Sequence, residues 1–208
     1  MNLQKISFGP NLAKCIIDED LRLELLKYGE LQKISAKQQL AGRIQKEFFF
    51  DSISKQKVES RVISYIQNYI QTISQFEGID GSKFKVTLNS LWINYQTAGE
   101  CNPPHKHTGD ISFAIYLNVP NEIKNEVNDT KSYPNGSITF IHGTDTQLAN
   151  QSESQLKSKI LGPNNVITIL PNTNDMFIFP AYLIHYVEPF YTNGVERISL
   201  SGNITITN

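Results

Sequence analysis

The histidines His105, His107, His142 and His185 are the four in the chain. Two of them share the run His105-Lys106-His107, directly after the turn-forming stretch Gly99 to Pro104. On an extended strand, residues i and i+2 point to the same face, so both imidazoles can address one point. His185 follows 80 residues beyond His105, in the apolar run Phe179 to Val187. A close pair on one strand and a distant third on another suit a metal ion held in the mouth of a β-barrel. Three protein ligands leave coordination positions open, as a catalytic metal requires. Taken singly, each would read as an ordinary surface or core histidine; the set, with one pair at ligand spacing, reads as a site. His142 follows the run Ser137 to Ile141 beside a loop and is expected as a surface histidine.

Arg197 is the next residue with a chemical reading. Arg22, Arg43, Arg61 and Arg197 are the only arginines among 19 basic residues. Arg197 opens the last β-rich run, twelve residues after His185, with the turn Thr192-Asn193-Gly194 between them. That order returns Arg197 to the neighbourhood of the His185 strand, with Ser199 on its own face. An arginine aimed into a barrel needs an anion, because an unpaired buried charge is very costly. Guanidinium matches a carboxylate bidentately, and a serine hydroxyl adds a further donor. The plainer alternative is a surface arginine on an edge strand.

The elements that must position these residues change character near residue 82. The apolar positions Val58, Val62, Ile63, Ile66, Ile70, Ile73 and Phe76 recur at helical steps, with Ser54 as the expected N-cap and Gly78 and Gly81 as the stop. A shorter helix is expected over 18–28 and a third over 37–48. None of these concentrates residues able to do chemistry, so residues 1–82 read as a helical support. From 83 to 208 the chain alternates in short runs bounded by Gly, Pro and Asn: 84–88, 91–95, 111–119, 137–141, 166–170, 175–179 and 196–207. With no helical pattern between them, these predict a mainly β fold, a jelly roll or double-stranded β-helix of cupin-like type with helices on one outer face. Residues 121–135 and 143–165 read as long surface loops, which often border a site.

Composition excludes several classes. The 208 residues suit one domain with a substantial core, and 19 basic against 20 acidic side chains leave a net charge of −1. Such a chain has no general attraction to nucleic acid or to an anionic membrane. No run of about 20 apolar residues spans a bilayer, and the first residues lack the apolar core of a secretory signal. Cys15 and Cys101 are the only cysteines, too few for a disulfide framework or a cysteine-based zinc site. Two reduced thiols in the cytoplasm are expected.

The order Trp92, Asn94, Gly99, Asn102, His105-x-His107, Tyr116-Leu117, Pro120, Gly136, Phe140, Phe179-Pro180, His185-x-Val187, Pro189, Arg197-x-Ser199 resembles the 2-oxoglutarate- and Fe(II)-dependent oxygenases. The nearest branch is the prolyl-4-hydroxylase-like group of marine bacteria and their phages. The likeness covers about residues 90–205, and Leu40-Ala41-Gly42-Arg43-Ile44 is similar to a segment that precedes the barrel in phage members. It implies a double-stranded β-helix with Fe(II) at its mouth. The family's first metal strand reads His-x-Asp or His-x-Glu, whereas this chain reads His-x-His. The third ligand is then His107, beside His105 and His185, or Asp110 if the loop Thr108-Gly109 folds back. An all-histidine set also suits Zn(II) or a silent site.

By the same resemblance Arg197 and Ser199 hold the distal carboxylate of 2-oxoglutarate, with Tyr116 and Asn94 as further residues of that pocket. Trp92 reads as core and Asp175 as a structural turn residue. The implied activity is a dioxygenase that consumes O2 and 2-oxoglutarate, hydroxylates a peptide or small molecule, and releases succinate and CO2. A peptidyl proline is suggested by the resemblance alone, and a phage-encoded chain would work in the host cytoplasm. Two alternatives stand beside it: a cupin-like metalloprotein that does not use 2-oxoglutarate, and a non-enzymatic jelly-roll or virion-associated protein.

Overall fold

The computed structural model describes residues 9–126, 134–143 and 165–207. In chain order its elements are β1 (Ala13–Ile16), α1 (Glu19–Gly29), β2 (Ile34–Ser35), β3 (Lys46–Phe49), α2 (Ser52–Phe76), β4 (Lys85–Gln96), β5 (Asn102–His105), β6 (Ile111–Asn118), α3 (Asn121–Lys124), β7 (Ile138–Ile141), β8 (Val166–Ile169), β9 (Asp175–Pro180), β10 (Ile184–Val187) and β11 (Arg197–Thr207). The expected loops are described only in part: residues 127–133 and 144–164 lie outside the described set.

The strands form two antiparallel sheets. Seven lie in the order β1-β9-β6-β11-β4-β3-β2 and four in the order β5-β10-β7-β8. The second sheet faces the first, which is the expected double-stranded β-helix. Because side chains alternate along a strand, each strand of the large sheet divides its residues between two environments. One face carries Leu91, Ile93, Phe113, Ile115, Met176, Ile178, Leu200 and Ile204, which join Leu21 and Leu25 of α1 and Val58, Val62 and Ile66 of α2 in one core. The other face carries Tyr116, Phe177 and Phe179, which pack on Ile138, Phe140 and Val187 of the small sheet. Burying a large aliphatic side chain contributes about 1.5–3 kcal/mol, so both faces are anchored.

Four local expectations change. The long helix starts at Ser52 and is capped by Asp51, whose carboxylate accepts the Ser54 N–H at 2.8 Å; Ser54 stands inside the first turn, and its hydroxyl also bonds Asp51. The helix expected over 37–48 is absent, and Lys46–Phe49 is a strand paired with β4. Leu40, Ile44 and Phe48 have helical spacing, yet the open edge of β4 supplies backbone partners that a short isolated helix would lack. The runs 84–88 and 91–95 are one strand, β4, which pairs with β11 along its whole length around a bulge opposite Asn203 and Ile204. Finally, the first 82 residues do more than brace the sheet, since β1, β2 and β3 extend its two edges.

Gly202 marks a tight point between strands. It lies between Leu91 and Phe113 in the ladder, and a Cβ there would meet the Phe113 ring at 2.6 Å and the Ser90 carbonyl oxygen at 2.7 Å. Gly202→Ala is therefore expected to cost about 1–3 kcal/mol of stability through overpacking, read as a lower urea midpoint. An unchanged midpoint would show that β4 and β6 have room to move apart.

Candidate active site

The inward face of the large sheet is unusually polar for a buried surface. Asn94 and Gln96 on β4, Arg197 and Ser199 on β11 and Glu47 on β3 all point between the sheets, and Asn94, Gln96, Glu47 and Arg197 are almost fully buried. A cavity of about 460 Å³, including its open mouth, is lined here by Leu40, Ala41, Gly42, Glu47, Trp92, Asn94, Asn102, His105, His107, Ala114, Tyr116, Ile138, His185, Val187, Ser199 and Ser201.

The small sheet supplies the histidines. His105 on β5 and His185 on β10 are direct partners across the antiparallel ladder, and His107 follows as β5 ends, its N–H donating to the Ala181 carbonyl. One nitrogen from each of His105, His107 and His185 lies within 4.8 Å of the others. The Nδ1 atoms of His105 and His185 are 2.7 Å and 2.9 Å from the Pro103 and Leu183 carbonyl oxygens. Donation from Nδ1 leaves the Nε2 lone pair as the metal-binding atom. The Nε2 atoms of His107 and His185 stand 3.2 Å apart. Metal–nitrogen bonds of about 2.1 Å put neighbouring ligand nitrogens roughly 3 Å apart.

Burial keeps the cluster uncharged. It pushes His107 down to about 3, with His185 and His105 adding repulsion, and His185 down to about 4, with His105 adding to the shift and the Leu183 carbonyl opposing it. His105 is lowered too, chiefly by burial. Three converging neutral imidazoles form a donor set that suits Fe(II) as well as Zn(II). Asp110 is turned elsewhere: its carboxylate accepts the Ile206 N–H at 2.8 Å, so the cluster gathers His107 and not Asp110. His142 is exposed. Trp92 is buried as expected but also lines the cavity, its ring 5.4 Å from that of His107.

Arg197 is fully buried and carries no counter-charge. Its two terminal nitrogens donate to the Gly136 carbonyl and to Gln96 Oε1, both neutral acceptors, and its Nε has no partner. No ion pair among the described residues reaches it. The guanidinium lies 5.5 Å from the Tyr116 ring and 5.8 Å from that of Phe190. It does not itself line the cavity wall, whereas Tyr116 and Ser199 do. Ser199 pairs across the ladders with Asn94 on one side and Tyr116 on the other, so the expected residues are contiguous. A buried guanidinium with an orphaned N–H and only neutral partners fits the carboxylate of 2-oxoglutarate.

Glu47 and Gln96 were not legible as site residues. Gln96 orients Arg197. Glu47 pairs with Asn94 across the β3–β4 ladder and is pushed up to about 7 by burial and the nearby Glu100, with Lys37 opposing. The available signal was a lone acidic residue beside the run Phe48-Phe49-Phe50, at the inward position of a strand too short to announce itself.

With this geometry in place, the likenesses to known proteins are specific. The family described as "Putative 2OG-Fe(II) oxygenase" matches residues 90–203. No curated protein sequence matches the chain. Among solved structures, the viral collagen prolyl hydroxylase from Paramecium Bursaria Chlorella virus-1 is similar at 12% identity and TM-score 0.53, covering 93% of this chain and 94% of that one. A Pseudomonas putida prolyl-4-hydroxylase is similar at 14% and 0.50, covering 92% and 90%. The epimerase SnoN, solved with Fe3+, alpha ketoglutarate and nogalamycin RO, is similar at 14% and 0.55, covering 94% and 79%. At such identities these three share the fold; the family match over residues 90–203, which spans both histidine strands and Arg197, shows that the chain belongs to the 2OG-Fe(II) oxygenase family.

Proposed function

We propose that this oxygenase binds Fe(II) through His105, His107 and His185 and seats the distal carboxylate of 2-oxoglutarate against Arg197 and Ser199. The observation that carries this reading is the convergence of three imidazoles, one buried and two half-buried, facing a buried guanidinium without a counter-ion across the two sheets. Bound Fe(II) and 2-oxoglutarate supply the oxidising chemistry, in which O2 hydroxylates the substrate and 2-oxoglutarate leaves as succinate and CO2. The chain's own residues do the orienting. Pro103 and Leu183 carbonyls fix two imidazoles with Nε2 free, Gln96 and Gly136 aim the guanidinium, and Trp92 and Tyr116 wall the cavity against stray water. With three neutral ligands and the distal carboxylate paired to Arg197, the co-substrate's other carboxylate would offset one of the metal's two positive charges.

Cys15 and Cys101 are free thiols, in keeping with a cytoplasmic setting, and no helix among the described residues is long and apolar enough to cross a membrane. A substrate hydroxylated at carbon, peptidyl or small, is the class this chemistry takes; the prolyl hydroxylase likeness suggests a peptidyl proline as the first to assay.

Under anaerobic conditions, Fe(II) followed by 2-oxoglutarate should give the weak visible charge-transfer band of the chelate, and admission of O2 should yield succinate. His185→Ala should abolish both the band and metal retention; a variant that keeps full metal occupancy would remove His185 from the ligand set. Arg197→Lys keeps the charge but loses the planar fork, and is expected to raise the 2-oxoglutarate KM by roughly tenfold or more. An unchanged KM would place the co-substrate elsewhere.

The depressed histidines also set a pH dependence for the metal-free protein. Their folded-state values lie below the ordinary value near 6.5, so the unfolded chain binds more protons and stability falls as pH drops below about 6.5. Glu47, raised to about 7, contributes in the opposite sense, losing stability as pH rises from its ordinary range toward 7. Urea midpoints between pH 4 and 7 should therefore fall toward acid in the parent protein and flatten in His107→Asn. A profile identical in both proteins would count against neutral, desolvated imidazoles.

A further inference from the structure

The cavity wall beside the metal centre contains a group the oxidation chemistry does not use. Glu47 is 1% exposed, its Oε2 has no hydrogen-bond partner, and no ion pair among the described residues includes it. Two amide oxygens in the same wall are in the same condition: Asn94 Oδ1 and Asn102 Oδ1 are buried without a donor. All three residues line the cavity. Glu47 is cross-strand partner to Asn94, which brings their side chains together on one face. Glu47 Oε1 and Asn102 Oδ1 both lie within 2.6 Å of the point a Cβ on Gly42 would occupy. A side chain at 42 would therefore displace both oxygens.

A buried carboxylate that serves the fold is normally hydrogen-bonded or paired, since leaving it bare is expensive. The basic group nearest to it in effect, Lys37, bonds Gln45 Oε1 at 2.6 Å instead. Glu100, the neighbouring acid, is occupied at the rim by the Gln45 and Thr97 N–H groups. The cavity lining contains no lysine and no arginine, and the imidazoles that could donate are directed at a metal. Three acceptors without partners, one of them a carboxyl, face a space whose lining offers no cationic donor besides the imidazoles. A primary ammonium has three N–H donors and one positive charge.

We propose that Glu47, Asn94 and Asn102, with Gly42 admitting their oxygens close to its backbone, form the subsite that holds the primary substrate by a protonated primary amine. The amine belongs to a small molecule or to a lysine side chain. This rests on the metal and co-substrate reading above, because it assigns the rest of that cavity to the substrate. Asn102 is on β5 with His105, so an amine held here keeps the adjoining carbons beside the metal centre. Leu40, Ala41 and Gly42, from the segment 40–44 picked out in the sequence ahead of the barrel, line the same cavity. A peptidyl proline, which has no cationic nitrogen, would leave all three acceptors unmatched.

The test is a calorimetric titration of the protein loaded anaerobically with Co(II) and 2-oxoglutarate, repeated on the metal-free protein. The probes are butylamine, its neutral counterpart butan-1-ol, and Nα-acetyl-lysine amide with and without Nε-acetylation. Both amines should bind roughly tenfold or more tighter than their neutral counterparts, and Glu47→Gln, nearly the same in shape, should erase that preference. Tighter binding of the lysine amide than of butylamine would assign the peptide source, and the reverse the small-molecule source. Gly42→Ala, whose methyl would displace the Glu47 and Asn102 oxygens, should weaken both amines as well. Equal affinity for charged and neutral probes, or a preference that survives in Glu47→Gln, overturns the proposal. So does loss of Co(II) from Glu47→Gln, which would make Glu47 a metal ligand. If the parent protein fails to take up metal or 2-oxoglutarate, the functional reading falls, while the metal-free titration still decides the amine subsite.

Discussion

Every feature of the site depends on a constraint of β-structure: a strand must send alternate side chains to opposite faces, and here both faces of the large sheet are buried. The outward face satisfies this with aliphatic and aromatic residues against α1 and α2. The inward face is apolar where Tyr116, Phe177 and Phe179 meet the small sheet, and cannot be filled the same way around the histidines without closing the cavity. It carries Asn94, Gln96, Ser199, Arg197 and Glu47 instead, polar groups that would be unfavourable in an ordinary core. The helix-backed face supplies the stability that lets the opposite face hold bare acceptors and an unpaired guanidinium.

The electrostatics follow from that burial. Partial burial of the imidazole cluster disfavours its charged form, with His107 and His185 far below their ordinary range. Arg197 is positive and Glu47 acidic, and they are held apart on β11 and β3 with Asn94 of β4 between them. A protein that needed these charges only for its fold would have joined them to partners, as it does with Lys14 and Asp175 at 2.8 Å. Unpaired and separated by Asn94, the two groups fit the proposed pair of occupants, one anionic and one cationic.

Much of this was legible in the residues. His105-x-His107 and the distant His185 could be paired because a two-residue step and a strand end constrain direction strongly. Arg197 stood out because arginine is scarce in the chain and opens the last strand. The jelly roll followed from alternating runs without helices between them. The third member of the cluster stayed open between His107 and Asp110, since local spacing allows either; in the fold Asp110 is docked on the β11 backbone and His107 lies with the other two imidazoles. Glu47 was out of reach because β3 has only four residues, and helical spacing of Leu40, Ile44 and Phe48 suggested the wrong element.

By itself the sequence determined which residue types could do chemistry, and on which strands: three imidazoles, one guanidinium, and the alternation that turns them inward. That information is local, set by strand periodicity and by scarcity. Only the tertiary structure decided which groups meet. The β5–β10 pairing sets His105 against His185, the β11 register sets Ser199 between Asn94 and Tyr116, and the addition of β3 at the sheet edge brings Glu47 into the same cavity. Those contacts join residues tens to more than a hundred positions apart, and ladder register, which no local pattern encodes, is what brings them together.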